Sequence, residues 1–109
     1  MSILETYILH ANAKNADKIA DLFADECYFN DGAAKPFGMD TMIASGKRAV
    51  FELFSSIFAS FEVVKAEIVK LNPNSMEYDV KLGDMSIPCV GAVSCDNEGK
   101  IVEFIIRPR

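Results

Sequence analysis

The chain has no tryptophan, a single histidine, no basic run longer than Lys47-Arg48 and no Cys-x-x-Cys pair. Each shortage excludes something. Sixteen acidic residues against eleven basic ones leave a net charge of −5. Nucleic acid is therefore not an expected partner, because a phosphate backbone needs a cationic face to offset desolvation. An anionic membrane surface is disfavoured on the same ground. Cys27, Cys89 and Cys95 are odd in number, and only His10 could join them as a ligand, so no metal site or disulfide framework is expected. Reduced core thiols are the simpler reading. The segment from Met1 to Leu9 carries Glu5 and lacks both a basic start and an unbroken apolar run. It reads as neither a signal peptide nor a spanning helix, and a cytoplasmic setting is expected.

What is present is enough apolar residue for one core. Half of the 109 residues are hydrophobic and a quarter are charged, which suits one packed domain over residues 1–109. Ser2 followed by Glu5 has the form of a capping box, and predicts a helix from about Ile3 to Ala13. Asn15 caps a second helix in which Ile19, Leu22 and Phe23 recur at helical spacing, ending near Glu26. Cys27 to Asp31 reads as a strand, followed from Asp31-Gly32 by a long loop containing Pro36 and Gly38. After Gly46, the residues Val50, Leu53, Phe54, Ile57, Phe58 and Phe61 form the strongest helical stripe in the chain.

The second half reads as strands over Glu62–Leu71, Ser75–Leu82, Met85–Cys95 and Lys100–Arg107, joined by hairpin turns and therefore antiparallel. Met76, Tyr78, Val80 and Leu82 alternate with Glu77, Asp79 and Lys81, which marks a sheet with one covered face. Pro88 removes a ladder donor and predicts a bulge or an edge. The outer face is expected to carry Ile101, Glu103, Ile105 and Arg107, a mixed surface suited to a homodimer. An α+β class follows: a curved antiparallel sheet wrapped around the helices, leaving a cone-shaped pocket.

This order of elements, together with Ala16-Asp17-Lys18-Ile19-Ala20-Asp21-Leu22-Phe23-Ala24-Asp25-Glu26 leading into Cys27-Tyr28-Phe29-Asn30-Asp31, resembles the nuclear transport factor 2-like superfamily. The SnoaL-like and ketosteroid isomerase-like branches are the most similar. In ketosteroid isomerases an aspartate is the base, while a tyrosine and a protonated aspartate hold the oxyanion. The resemblance puts Tyr7 at the tyrosine and Asp31 at the base, and it puts Gly91 where the second donor would stand. Losing one such donor typically costs ~10²–10³ in rate. Dehydratases of this fold use several histidines, and its epoxide hydrolases resemble an Asp-Arg-Asp arrangement for which only Arg48, Arg107 and Arg109 are available. Neither pattern is complete here.

Asp31 shares the parity of Cys27 and Phe29, so it points to the covered face if Phe29 does. There its pKa would rise, as a base working near neutrality requires. The bland alternative is a turn aspartate capping backbone donors before Gly32. Tyr7 is either an oxyanion donor or a tyrosine at the core's edge. His10 either reaches the pocket one turn on or faces solvent. Phe29, Phe54, Phe58, Val93, Phe104 and Ile106 are candidates for a substrate-binding wall, or else they fill a solid core. The expected ligand is a small apolar molecule, with no cofactor. The function implied is cofactor-independent proton transfer next to a carbonyl; the alternative is a non-catalytic binding or dimerisation module.

Overall fold

In the computed structural model, which describes residues 1–109, the first helix (α1, Ile3–Asn12) starts on the capping box. The Ser2 hydroxyl accepts from the Glu5 N–H, and the Glu5 carboxylate accepts from the Ser2 N–H. Leu4, Tyr7, Ile8 and Ala11 form its buried face. Asn15 caps a second helix (α2, Ala16–Ala20), which is shorter than its apolar spacing predicts. Leu22 and Phe23 leave the helix because the Leu22 carbonyl accepts from Ile101 N–H at 2.9 Å, drawing the chain into the sheet. The first strand (β1, Phe23–Asp31) therefore begins four residues earlier than expected.

The predicted long loop contains a short 3₁₀ turn (Lys35–Phe37) and a strand (β2, Met42–Ser45) that pairs antiparallel with Tyr28–Asp31. The third helix (α3, Lys47–Ser60) follows Gly46, whose φ of 91° only glycine adopts readily. Four strands complete the chain: β3 (Val64–Leu71), β4 (Ser75–Leu82), β5 (Met85–Cys95) and β6 (Ile101–Pro108). They form one six-stranded sheet in the order β2-β1-β6-β5-β4-β3. The last four strands are antiparallel neighbours as their turns require, but β1 lies parallel to β6.

The helices cover one face of this sheet, and its curl comes from register breaks. One lies between Ser94 and Cys95 opposite β6, where Val102 is the extra residue. That slip corrects the expected parity of β6: Ile101 is fully buried, on the same face as Phe104 and Ile106, while Glu103 and Arg107 stay exposed. Pro88 causes no such break, since β4 and β5 stay in register through it. Its carbonyl accepts from the Arg109 N–H, so its missing donor faces a residue just beyond the end of β6. There, almost no ladder is lost.

One contact ties the helical layer to an edge of the sheet. Asn12 Oδ1 accepts from the Ala66 N–H at 2.6 Å, and its Nδ2 donates to the Ala66 carbonyl at 2.9 Å. The side chain thus completes, for one residue, the outer edge of β3. Asn12→Ala is expected to cost ~1–2 kcal/mol, two net hydrogen bonds. A urea midpoint equal to the wild type, with unchanged amide exchange at Ala66, would contradict this.

Candidate active site

Asp31 ends β1 opposite Met42 of β2 and beside Ile106 of β6. One of its oxygens behaves as a turn aspartate: Oδ1 accepts from the Ala33 N–H at 3.0 Å. The side chain nonetheless lines two apolar cavities beneath the sheet. The turn and pocket readings of Asp31 therefore coexist. Burial pushes its carboxyl up to about 6, against the smaller opposing effects of the Ala33 hydrogen bond and the Arg107 guanidinium. Arg107 is held by Asn30 Oδ1 and by the Ile106 carbonyl, both at 2.7 Å.

Tyr7 reaches the same cavity from α1. Its ring packs edge-on against Phe104 (centroids 4.9 Å apart) and Phe54 (5.9 Å), which fixes where the hydroxyl can lie. Burial, then the charge of Asp31, raises this phenol well above its ordinary pKa. The hydroxyl of Tyr7 and the second oxygen of Asp31 have no hydrogen-bond partner in the protein. No buried side-chain oxygen is left unpaired, so both keep surface that water or a ligand can reach.

Tyr78 is a third polar residue lining the chamber, although in the sequence its alternation marks it only as core. It stands on β4 opposite Cys89, is 1% exposed and lines the cavity with Tyr7 and Asp31. Burial raises its phenol well above the usual value, with Tyr7, Asp31 and Cys89 adding to the effect. A buried tyrosine normally has a partner for its hydroxyl, and that rule was the signal available in the alternation of β4. Cys89 donates its thiol hydrogen to the Ile87 carbonyl at 3.4 Å. Burial first, then the Asp31 charge, pushes this thiol up to about 12, so it is not a thiolate nucleophile at neutral pH.

The cavity has a volume of about 50 Å³ and is otherwise lined by Ala11, Met42, Phe54, Ile57, Phe58, Val64, Ala66, Val80 and Leu82. A second chamber of about 30 Å³ shares Asp31, Met42, Val80 and Leu82 with it. Of the residues expected in the wall, Phe54 and Phe58 line the cavity. Phe29, Val93, Phe104 and Ile106 do not; they are buried in the core, where Phe29 and Phe104 meet edge-on with centroids 5.7 Å apart. Gly91 lies under the rings: a Cβ there would stand 2.8 Å from Phe104 Cε1 and 3.4 Å from Tyr78 Cε1. His10 is half-buried on α1 and lines neither chamber; Ala11, one residue on, takes the place facing the cavity.

No group of three His, Cys, Asp or Glu side chains is placed to hold a metal ion. No helix is long and apolar enough to cross a membrane.

No family model matches the chain, and no curated protein matches it in sequence. Solved structures do match. A nuclear transport factor 2-like protein of unknown function from Mesorhizobium loti superposes with a TM-score of 0.76 at 18% identity, covering 98% of this chain and 88% of that one. An uncharacterised cystatin fold protein from Novosphingobium aromaticivorans gives 0.75 at 20% identity, with 97% of each chain covered. A SnoaL-like protein of unknown function from Burkholderia thailandensis gives 0.72 at 14% identity, covering 96% and 89%. At these identities the likeness establishes the fold alone: a curved, largely antiparallel sheet wrapped around helices.

Proposed function

We propose that the protein is a cofactor-independent proton-transfer enzyme acting on a small carbonyl compound, with Asp31 as the base and Tyr7 as a donor to the enolate oxygen. The observation that carries this reading is the shared cavity: a carboxyl titrating at about 6 and an unpartnered phenol line one apolar chamber. The carboxylate takes a proton from the carbon next to the carbonyl. The electrons of that C–H bond move onto the oxygen, where Tyr7 donates, and the carboxylic acid returns the proton to the same or another carbon.

The chamber sets the substrate size. Drug-sized ligands occupy pockets of roughly 300–1,000 Å³. About 50 Å³ together with the adjoining 30 Å³ leaves no room for a steroid and limits the class to the smallest ketones, such as acetone or butanone, which need both chambers. The test is deuterium uptake at the α-carbon of butanone, followed by proton NMR. Exchange should exceed the buffer rate and rise with pH through about 6, as the carboxyl ionises. A rate equal to buffer from pH 5 to pH 8 would sink the reading.

The smallness of the same chamber favours a second reading, a module that binds a small apolar ligand or pairs with a second copy without catalysis. The outer sheet face would seat that copy, with Val90 and Ile105 half-buried there beside the exposed Glu103 and Arg107. Sedimentation at micromolar concentration tests the dimer, and absence of exchange separates this reading from the first. A cytoplasmic setting belongs to both, since the thiol of Cys95 is exposed and unpaired.

A further inference from the structure

The place where a second oxyanion donor would stand is Gly91, and it is closed to any side chain by the Phe104 ring. The neighbouring strand supplies a phenol instead. Gly91 pairs with Met76 on β4, and Tyr78, two residues further along β4 on the same face, leans its ring to within 3.4 Å of a Cβ at position 91. From there the Tyr78 side chain lines the chamber that Tyr7 and Asp31 line. We infer that Tyr78 is the second oxyanion donor, so that the enolate oxygen is held between two phenols, Tyr7 from α1 and Tyr78 from β4.

This deepens the reading of Asp31 as a base and rests on it. It also narrows the ligand. Two neutral donors and one carboxyl in one chamber suit a planar anion of four or five heavy atoms whose charge sits on oxygen, made by removing a proton from the adjacent carbon. The oxyanion gains two hydrogen bonds as it forms, and the only proton moved is the one that Asp31 takes and returns. No oxidant, reductant or second reactant is involved. Cys89 keeps its proton, which it donates to the Ile87 carbonyl; its sulfur accepts from the Tyr78 hydroxyl in the free protein, and that hydroxyl exchanges this weak partner for the oxyanion.

The chain has three tyrosines, which makes the test direct. Tyr28 is the internal control, because its hydroxyl already accepts from Asn30 Nδ2 at 2.8 Å and it lines neither chamber. Protein labelled with ¹³C at the tyrosine Cζ should show three resonances. The nitronate of nitroethane, a small planar anion with its charge on oxygen, serves as the probe. It is titrated into Asp31→Asn protein, whose amide stands for the protonated base. The resonances of Tyr7 and Tyr78 should move together while that of Tyr28 stays. In the exchange assay Tyr78→Phe should lose roughly 10²-fold, as Tyr7→Phe does.

If wild type exchanges butanone while Tyr78→Phe matches it, or only the Tyr7 resonance moves, the second donor is overturned and the base assignment stands. If both resonances move but wild type does not exchange, the phenol pair is supported as an oxyanion site and the catalytic reading fails alone. If there is neither exchange nor movement, both fall. The labelling measurement keeps every phenol in place, so its outcome does not depend on how a tyrosine variant folds.

Discussion

Asp31→Asn should abolish α-carbon exchange and, at pH 8, make the protein more stable by ~2–3 kcal/mol. Both effects come from one cause. The carboxyl has an ordinary value of 3.8 and is pushed to about 6 in the fold, chiefly because burial disfavours its charge. The folded chain therefore holds this proton more tightly than the unfolded chain does. The stability that this preference contributes is fully present below about pH 4 and is lost as pH rises through 6. Above that, the native state carries an ionised carboxylate at a cost of about two pKa units, or ~3 kcal/mol. An asparagine keeps the acceptor for the Ala33 N–H and carries no charge. Its advantage over wild type should be largest at pH 8 and close to zero at pH 4. Urea midpoints at the two pH values measure it. A variant less stable than wild type at pH 8 would show that the carboxylate is solvated and was never poised as a base.

That prediction depends on residues of unequal visibility in the sequence. The capping box, the stripe from Val50 to Phe58 and the alternation from Met76 to Leu82 were legible because each is a local pattern satisfied by local geometry. Strand β2 was not. Four residues, Met42 to Ser45, are too few for a period, and they become a strand only because β1 offers an edge. The parallel pairing of β1 with β6 joins segments some 75 residues apart, which no local signal reports. Ile101 was placed on the wrong face because one extra residue, Val102, inverts parity along β6.

The site shows the same division. Likeness to a superfamily singles out Asp31 and Tyr7, parity carries Asp31 to the covered face, and the two side chains line one chamber. Tyr78 was hidden in plain alternation, since a tyrosine in a covered strand reads as core. Only the closure of position 91 makes its hydroxyl informative. The expected wall differs from the lining of the chamber for a related reason. Phe29, Val93, Phe104 and Ile106 do face inward, but inward is where a short chain packs its rings, and the periodicity of a strand does not distinguish a lined chamber from a filled one.

The packing over Gly91 makes the strongest demand on the core. Gly91→Asp, the substitution that the resemblance to ketosteroid isomerases suggests as a second donor, is expected to cost ~3–5 kcal/mol rather than improve the site. Its Cβ would fall 2.8 Å from Phe104 Cε1, closer than real contacts allow, and its carboxyl would enter a layer of Phe104, Ile106 and Tyr78. Phe104 is fully buried against Tyr7, Phe23 and Phe29, so its ring has little freedom to yield. A milder pair isolates the cause. Gly91→Ala alone should cost ~1–3 kcal/mol by overpacking, and Phe104→Leu should cost somewhat less than the ~3–5 kcal/mol typical of Phe→Ala. Combined, they should fall short of their sum by ~1–3 kcal/mol, because the leucine vacates the space the new methyl needs. Urea unfolding of the four proteins gives the coupling directly. Strict additivity would mean that Phe104 does not hold position 91 closed, and with that would go the reason for expecting the donor from β4. A coupling of the expected size means that a bulky ring at 104 and a donor at 91 exclude one another, which is the premise on which Tyr78, lining the same chamber as Tyr7, is proposed as the donor.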